Sequence, residues 1–345
     1  MRAVVFRTPG GPLEVGDFPN PVPGRGDAVV RVRAAALNHL DVWVLNGNPA
    51  YKIALPHALG SDVSGIVESV GEGVSGVRPG DAVVAYPLRA CGKCEQCLAG
   101  RENLCDERTV LGAGPVWGGY AEMICVPCRD LYPLPGGISF DEAAGIPVTF
   151  ITAWHLLMTL ADLKPGQTVL VMGAGSGVGA AAMAIARQAG ARVIATASTE
   201  EKRRKALKLG ADAAVDHGDA AFWKAVRDRT GGRGVDVVVE HIGPAVFKQA
   251  IQCLASNGVL VTCGATTGPE TSLDLRFLFS RQLAIRGGYL GTRKEFEAIL
   301  RLFGEGRLKV AIDSTFPFEQ APAAMERLLG RQSFGKIILT HGPGG

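Results

Sequence analysis

Aromatic residues are scarce in this chain: Phe, Trp and Tyr make up 6% of 345 residues. Side-chain amides are scarcer still, with Asn and Gln together numbering 14. An excess of one charge sign is also missing, because 36 Lys and Arg face 33 Asp and Glu for a net charge of +3. Spread over this length, that charge makes no basic footprint, so nucleic acid is not an expected partner. No long apolar run occurs either. The longest, Ala143 to Met158, contains Pro147 and His155 and is too short and mixed to span a bilayer, so no membrane partner is expected. The first residues, Met1-Arg-Ala-Val-Val-Phe6, enter a strand-like pattern at once and show no signal-peptide core. A soluble, cytoplasmic protein is the expectation.

What is present is the composition of a folded protein. Hydrophobic residues at 47% and charged residues at 20% exclude disorder. The 46 Gly and 20 Pro supply many turns but no Gly-X-Y period. The length exceeds one ordinary core and suits two domains. Arg outnumbers Lys 25 to 11, a balance found in some thermophile proteins that genome composition alone also produces.

Eight cysteines in a long chain expected in the cytoplasm are not a disulfide framework. Four of them, Cys91, Cys94, Cys97 and Cys105, sit at spacings that put four thiolates on one loop. Tetrahedral zinc takes four such ligands, and a closed four-cysteine site is structural rather than catalytic. An iron–sulfur cluster is the rival, but the gap to the fourth Cys is long and no Pro follows it. One structural zinc per chain is expected. The other four, Cys125, Cys128, Cys253 and Cys263, read as small buried hydrophobes.

Along the chain, residues 1 to about 149 read as short strands broken by Gly and Pro turns, with few helices. Strands are expected at 28–33, 63–70 and 81–85. Beyond Thr149 the pattern alternates: strands at 168–172, 192–196, 235–240 and 258–262, with helices at 178–189, 200–209 and 245–254. Such alternation means βαβ units and a parallel sheet covered on both faces. A helix at 294–303 and a strand at 336–339 are expected to return to the first domain. The expected division is therefore 1–149 with 290–345 (zinc lobe at 88–108) and a nucleotide-binding domain at 150–289.

The strand at 168–172 runs into Gly173-Ala-Gly-Ser-Gly-Val-Gly179 and then into a helix. Gly175-x-Gly177-x-x-Ala180 matches the dinucleotide fingerprint, in which glycine lets backbone approach the pyrophosphate at a helix N-terminus. Gly173, Gly175, Ser176, Gly177 and Val178 are the expected contacts. An NAD site usually places an acid at the end of the second strand. Here the residues are Ala197-Ser198-Thr199, followed by Lys202, Arg203 and Arg204. Ser198 and Lys202 suit a 2′-phosphate, so NADP(H) is favoured over NAD(H). Glu200 and Glu201 follow slightly late and keep NAD open, and Lys202 to Lys205 also read as a solvated helix face. His241, Ile242, Cys263, Gly264 and Ala265 are further expected cofactor neighbours.

Together these motifs resemble the medium-chain dehydrogenase/reductase superfamily, which holds zinc alcohol dehydrogenases and quinone oxidoreductases. The resemblance rests also on Ala35-Ala-Leu-Asn-His-Leu-Asp41, Leu59-Gly-Ser-Asp-Val-Ser-Gly65, Gly71-Glu-Gly-Val74 and Gly335-Lys336. It implies an α/β chain with a GroES-like β-rich catalytic domain and a Rossmann doubly wound parallel sheet, the active site lying in the cleft between them. It also implies a homodimer or homotetramer. His39 and Lys336 match positions near the cofactor, and Thr152 one near the nicotinamide.

The departures carry as much as the matches. Where zinc alcohol dehydrogenases resemble one another in a Cys, a Gly-His-Glu motif and a later Cys or acid, this chain has Asn38, Gly60-Ser61-Asp62 and Val148. These cannot build an open zinc site. The proton-relay hydroxyl matches Leu40. The resemblance therefore implies a kept structural zinc and a lost catalytic one. Zinc-free catalysis is similar to the quinone oxidoreductase branch, although that branch usually lacks the four-cysteine lobe. The expected reaction is reduction of a quinone, enone or related carbonyl, with Asn38 donating to the enolate oxygen, Asp41 orienting Asn38, and Thr152 against the nicotinamide. Asn38 also reads as a helix cap. A zinc-type alcohol dehydrogenase and a non-catalytic NADPH-binding protein are the alternatives. His57 reads as a loop residue, His155 as buried polar packing, and Trp43 and Tyr51 as cleft wall or core.

Overall fold

Runs of β-branched residues with no polar alternation need burial on both faces, and the second half of the chain provides it. In the computed structural model, which describes residues 1–342, the strands Thr168–Val171, Arg192–Thr196, Val235–Glu240 and Leu254–Thr262 form where these runs lie. With two further strands, Ala213–Val215 and Ala284–Gly287, they make one six-stranded parallel sheet. Counted in chain order, the strands lie 3-2-1-4-5-6 across it. That is a doubly wound sheet, whose order reverses between the first strand and the fourth. The two strands absent from the sequence reading are the edges. They are short and partly exposed, and the apolar runs Ala213-Ala214-Val215 and Leu283-Ala284-Ile285 are too brief to mark a strand. Leu170, Ile194, Val238 and Leu260 pack one face of the sheet against Phe222, Val226, Ala250 and Ile251.

The described chain divides into two compact units, Met1–Val148 with Thr292–Gly306 and residues 312–342, and Thr149–Gly291 with Arg307–Ala311. Thr149, residues 290–291 and residues 307–311, expected in the first unit, group with the second. Leu308, within the last of these segments, is buried.

The first unit is β-rich, as a GroES-like domain requires. One path of its largest sheet runs Leu131–Pro133, Ala82–Ala85, Asp62–Val70, Asp27–Ala36, Lys336–Thr340 and Ile312–Pro317, with Met123–Pro127 also paired to Asp27–Ala36. The C-terminal strand thus enters the sheet antiparallel to Asp27–Ala36, with Leu339 opposite Ala35. Ala34, Ala36, Ala144 and Ile338 form a small-residue core beneath this junction. A second sheet joins Arg2–Phe6 to Glu14–Asp17 and His57–Ala58.

His57, expected in a loop, is fully buried in that short strand. Its Nε2 lies 3.1 Å from the Gly112 carbonyl, and its ring meets Phe6 edge-on. Cys253 is the one buried residue among the four cysteines outside the cluster, and Cys125, Cys128 and Cys263 are half-buried. Among the described residues, no helix is long and apolar enough to cross a membrane.

His341 gives the first unit a pH dependence. Its ring stacks on Phe318 at 4.2 Å between centroids and is buried. Burial holds its pKa down to about 4; Glu122 and Glu319 pull upward, and Arg2 and Arg33 press it further down. The folded state therefore resists a proton that the unfolded chain accepts near its ordinary value. Stability contributed by the neutral ring is complete above that ordinary value and is lost as pH falls from about 6.5 to about 4. The shift corresponds to ~3 kcal/mol. Denaturant titrations across this window should show a steeper loss of stability in the parent than in His341→Phe, and parallel curves would contradict the assignment.

Candidate active and metal sites

The four-cysteine lobe begins where the strand Leu88–Arg89 leaves and Thr109–Val110 returns to pair with it. Between them, the Sγ atoms of Cys91, Cys94, Cys97 and Cys105 all lie within 4.8 Å of one another. Four sulfurs at ~2.3 Å from one tetrahedral ion are ~3.8 Å apart, and Cys91 and Cys97 are separated by 3.8 Å. The backbone N–H groups of Cys94 and Cys91 donate to Cys91 Sγ and Cys105 Sγ. Donors from Lys93 and Cys94 pull the Cys91 thiol down to about 6, while burial pushes Cys97 up to about 12. The donor set fits a closed structural zinc. Arg293 braces the lobe's base: its backbone N–H donates to Glu102, and its guanidinium pairs with buried Asp130 and covers the Tyr86 ring at 4.7 Å.

In the second unit, the fingerprint loop leaves the first sheet strand at the reversal of strand order, where open α/β sheets take ligands. Ser176 caps the helix Gly177–Gln188, its Oγ accepting from Gly179 N at 2.8 Å. The first intrahelical bond runs from Ala180 N to Ser176 O, so the amides of Gly177 and Val178 point out of the helix start. A Cβ on Gly179 would sit 2.4 Å from the Gly173 carbonyl. The tight helix–strand approach therefore falls on Gly179, one residue before Ala180 in the fingerprint. This loop fits a dinucleotide's pyrophosphate.

Other expected cofactor neighbours gather on the same side of the sheet. His241 Nε2 lies 2.8 Å from Ser176 Oγ, tying the loop after the fourth strand to the glycine loop. Buried Glu240 accepts from the Ile242 and Gly243 amides, and burial raises its pKa. Gly264 approaches His241 closely, so the loop after the fifth strand, Cys263-Gly264-Ala265, runs beside the same segment. Thr196 and His217 went unnoticed in the sequence. Fully buried Thr196 Oγ1 accepts from Gly173 N at 3.1 Å and lies 2.9 Å from His217 Nδ1. A Thr closing the second strand was the only available signal. Beyond it, Ser198 is exposed, Thr199 caps the next helix, and Lys202 is half-buried. Arg203 is bound to Asp216 and the Ala197 carbonyl, Arg204 to Glu200, and Lys205 to Glu201. Thr152 is buried on the helix Pro147–Trp154, just before the π-helical turn His155–Leu160. His155 is buried at that turn, as expected.

The first unit brings together residues far apart in sequence. Asn38 precedes the helix His39–Leu45, and Gly60-Ser61-Asp62 leads into the strand Asp62–Val70. Gly60 has φ of +103°, and a Cβ there would lie 2.6 Å from the Tyr120 ring, so glycine is required. Asn38 Nδ2 donates to Asp62 Oδ2 at 2.9 Å. Asp62 Oδ1 accepts from Val148 N at 2.8 Å. Lys336 Nζ donates to the Leu37 carbonyl (2.7 Å), Asn38 Oδ1 (2.7 Å) and Asp62 Oδ2 (2.9 Å). Ser61 Oγ is buried with no partner among the described residues.

Two expectations change here. Lys336, expected against the cofactor, is 3% exposed and has all three N–H groups committed within the first unit, leaving none for a phosphate. Asp41, expected to orient the Asn38 side chain, instead accepts from Asn38 backbone N at 2.8 Å, from Tyr120 OH at 3.0 Å and from Gly60 N at 3.3 Å. Burial raises its pKa to about 6. Asp41 therefore fixes the backbone, while Asp62 and Lys336 orient the amide. His39 is exposed at the helix start, edge-on to half-buried Trp43.

Comparison with known proteins agrees with this architecture. Residues 24–136 match the family described as alcohol dehydrogenase GroES-like domain, and residues 177–305 that described as zinc-binding dehydrogenase. An alcohol dehydrogenase of Geobacillus stearothermophilus is 31% identical over 98% of this chain and 99% of its own. A quinone oxidoreductase of Rattus norvegicus is 30% identical over 98% of this chain and 97% of its own. A crystal structure described as an NAD-dependent alcohol dehydrogenase is 46% identical, with a TM-score of 0.95 over 99% of this chain and 100% of that one. The chain belongs to the medium-chain dehydrogenase/reductase superfamily, and it is an oxidoreductase.

Proposed function

We propose that this protein is an NAD(P)H-dependent reductase of a quinone, an enone or a related conjugated carbonyl, working without catalytic zinc and carrying one structural zinc on Cys91, Cys94, Cys97 and Cys105. The observation that carries the reading is Asp62. It is the one carboxylate among the four positions matching the family's catalytic ligands, and it is already bound to Lys336, Asn38 and Val148 N. Asn38, Ser61 and Val148 supply no thiolate, imidazole or further carboxylate, and a cation-binding site lined by an ammonium repels a second cation.

The nicotinamide, when bound, supplies the hydride. The protein's part is to receive the charge that develops on the substrate oxygen. Asn38 Nδ2 spends one N–H on Asp62 and keeps a second for that oxygen. Conjugation spreads the charge, so a hydrogen bond can serve where an alkoxide needs a metal. Asn38→Ala should lower kcat for quinone or enone reduction by about 10² while NADPH affinity holds. An unchanged kcat would remove Asn38 from the reaction. The alcohol dehydrogenase reading keeps its support in the names of the 46% identical structure and of the Geobacillus stearothermophilus relative.

For the cofactor, Ala197-Ser198 in place of an acid, with half-buried Lys202 on the next helix, favours NADP(H). Lys202→Ala should weaken NADPH by about tenfold or more and leave NADH unchanged, since one charge-assisted contact contributes ~1.5–3 kcal/mol. Equal or tighter NADH binding by the unmodified protein would refute the preference. A homodimer or homotetramer is proposed from the exposed Leu275 and Phe279 beside the edge strand Ala284–Gly287.

A further inference from the structure

Lys336 lies 298 residues from Asn38 in sequence, yet its ammonium is 2.7 Å from that side chain's oxygen. Asn38, Asp62 and Lys336 close a ring: the ammonium donates to Asn38 Oδ1 and to Asp62 Oδ2, and Asn38 Nδ2 donates to the same carboxylate oxygen. An amide has two nearly isosteric ends, one donating and one accepting. An ammonium has donors and no acceptor, so only the amide oxygen can face it. A carboxylate has acceptors and no donor, so only the amide nitrogen can face it. The chemistry of the two neighbours therefore sets which end of Asn38 is which.

We propose that Lys336 is a positioning residue for the reduction. It locks the Asn38 amide with its free N–H, rather than its oxygen, presented to the oxygen of a conjugated carbonyl substrate. The inference rests on the role given to Asn38 above. Without the ammonium and the carboxylate the amide can turn, and its oxygen then opposes the charge arriving on the substrate. The ammonium also polarises the amide through its carbonyl, strengthening the bond that Nδ2–H donates. The ring is built to keep its members paired: Lys336 and Asp62 are almost wholly buried and neutralise each other. Removing one alone strands the other, which is strongly destabilising. The informative variant is therefore the double one, Asp62→Asn with Lys336→Met, which removes both charges.

Two readouts test the lock. The first needs no substrate: the side-chain amide resonance of Asn38 in a 15N spectrum, identified by its loss in Asn38→Ala. It should shift in the double variant. The second is kinetic. In the double variant kcat for quinone or enone reduction should fall on the order of 10²-fold, with the NADPH dissociation constant within about twofold. Adding Asn38→Ala should then cost little more, because its contribution is already lost. Lys336→Arg, which also only donates, should keep the resonance near its original position. An Asn38 resonance that stays in place in the double variant overturns the lock. So does NADPH affinity loosened tenfold with kcat unchanged, which returns Lys336 to the cofactor. A resonance that moves, in a protein whose unmodified form reduces no quinone or enone, overturns the proposed function and the catalytic part of this inference while leaving the amide lock standing.

Discussion

Cys105→Ser should empty the lobe of metal, taking zinc from one per chain to a small fraction of that on metal analysis. Cys105 is the most buried of the four ligands, and its sulfur accepts the Cys91 backbone N–H. Structural zinc in small four-ligand sites contributes ~10–16 kcal/mol of binding energy to local folding. In the loop between Leu88 and Val110 the helix Glu95–Leu98 buries no residue and Leu98 and Leu104 are exposed, while Glu102 and Asn103 are buried beside it. Proteolysis should therefore open in the segment 91–108 while both sheets persist. Arg293, which grips the base of the lobe through Glu102 and Asp130, should confine the damage. A variant that retains zinc, or one that loses its sheets together with its metal, would contradict a self-contained structural site.

Asp62→Ala should strongly destabilise the first unit. It leaves the Lys336 ammonium buried with no counter-charge and removes the acceptor for Asn38 Nδ2 and Val148 N. Breaking a buried pair by removing one partner costs about 3–5 kcal/mol, whereas removing both with groups of similar size is often neutral. Denaturation of the first unit, followed by pulse proteolysis, should show that loss in Asp62→Ala. It should recover most of the loss when Lys336→Met is added. If the single variant is as stable as the parent, Lys336 has found another partner and the ring is not the organising feature.

How much of this was legible in the sequence follows from distance along the chain. The glycine loop, its flanking strand and its helix are contiguous, so periodicity and spacing place them within a residue or two. The cysteine cluster spans 15 positions and is equally local. The edge strands Ala213–Val215 and Ala284–Gly287 were missed because their apolar runs are only three residues long. The positions that match the family's catalytic ligands were legible in the sequence, but the ring that Asn38, Asp62 and Lys336 form there was not. Asn38 and Asp62 are 24 residues apart, and Asp62 and Lys336 are 274 apart. Only the pairing of the strand Lys336–Thr340 with Asp27–Ala36 brings them together. Lys336 was noticed through its neighbour Gly335, and nothing local distinguishes a lysine at a phosphate from one buried against three acceptors. Asp41 shows the same limit: three residues after Asn38, it reaches the backbone N–H and not the amide.

Catalysis at this site is proposed to need no metal. The most direct measurement follows NADPH oxidation with ortho-quinones and enones, and cofactor reduction with simple alcohols, before and after mild chelation, with zinc counted in the same samples. One zinc per chain is expected, with quinone or enone reduction that survives chelation and little alcohol turnover. Two zincs per chain, with chelator-sensitive oxidation of simple alcohols and no reduction of quinones or enones, would contradict it.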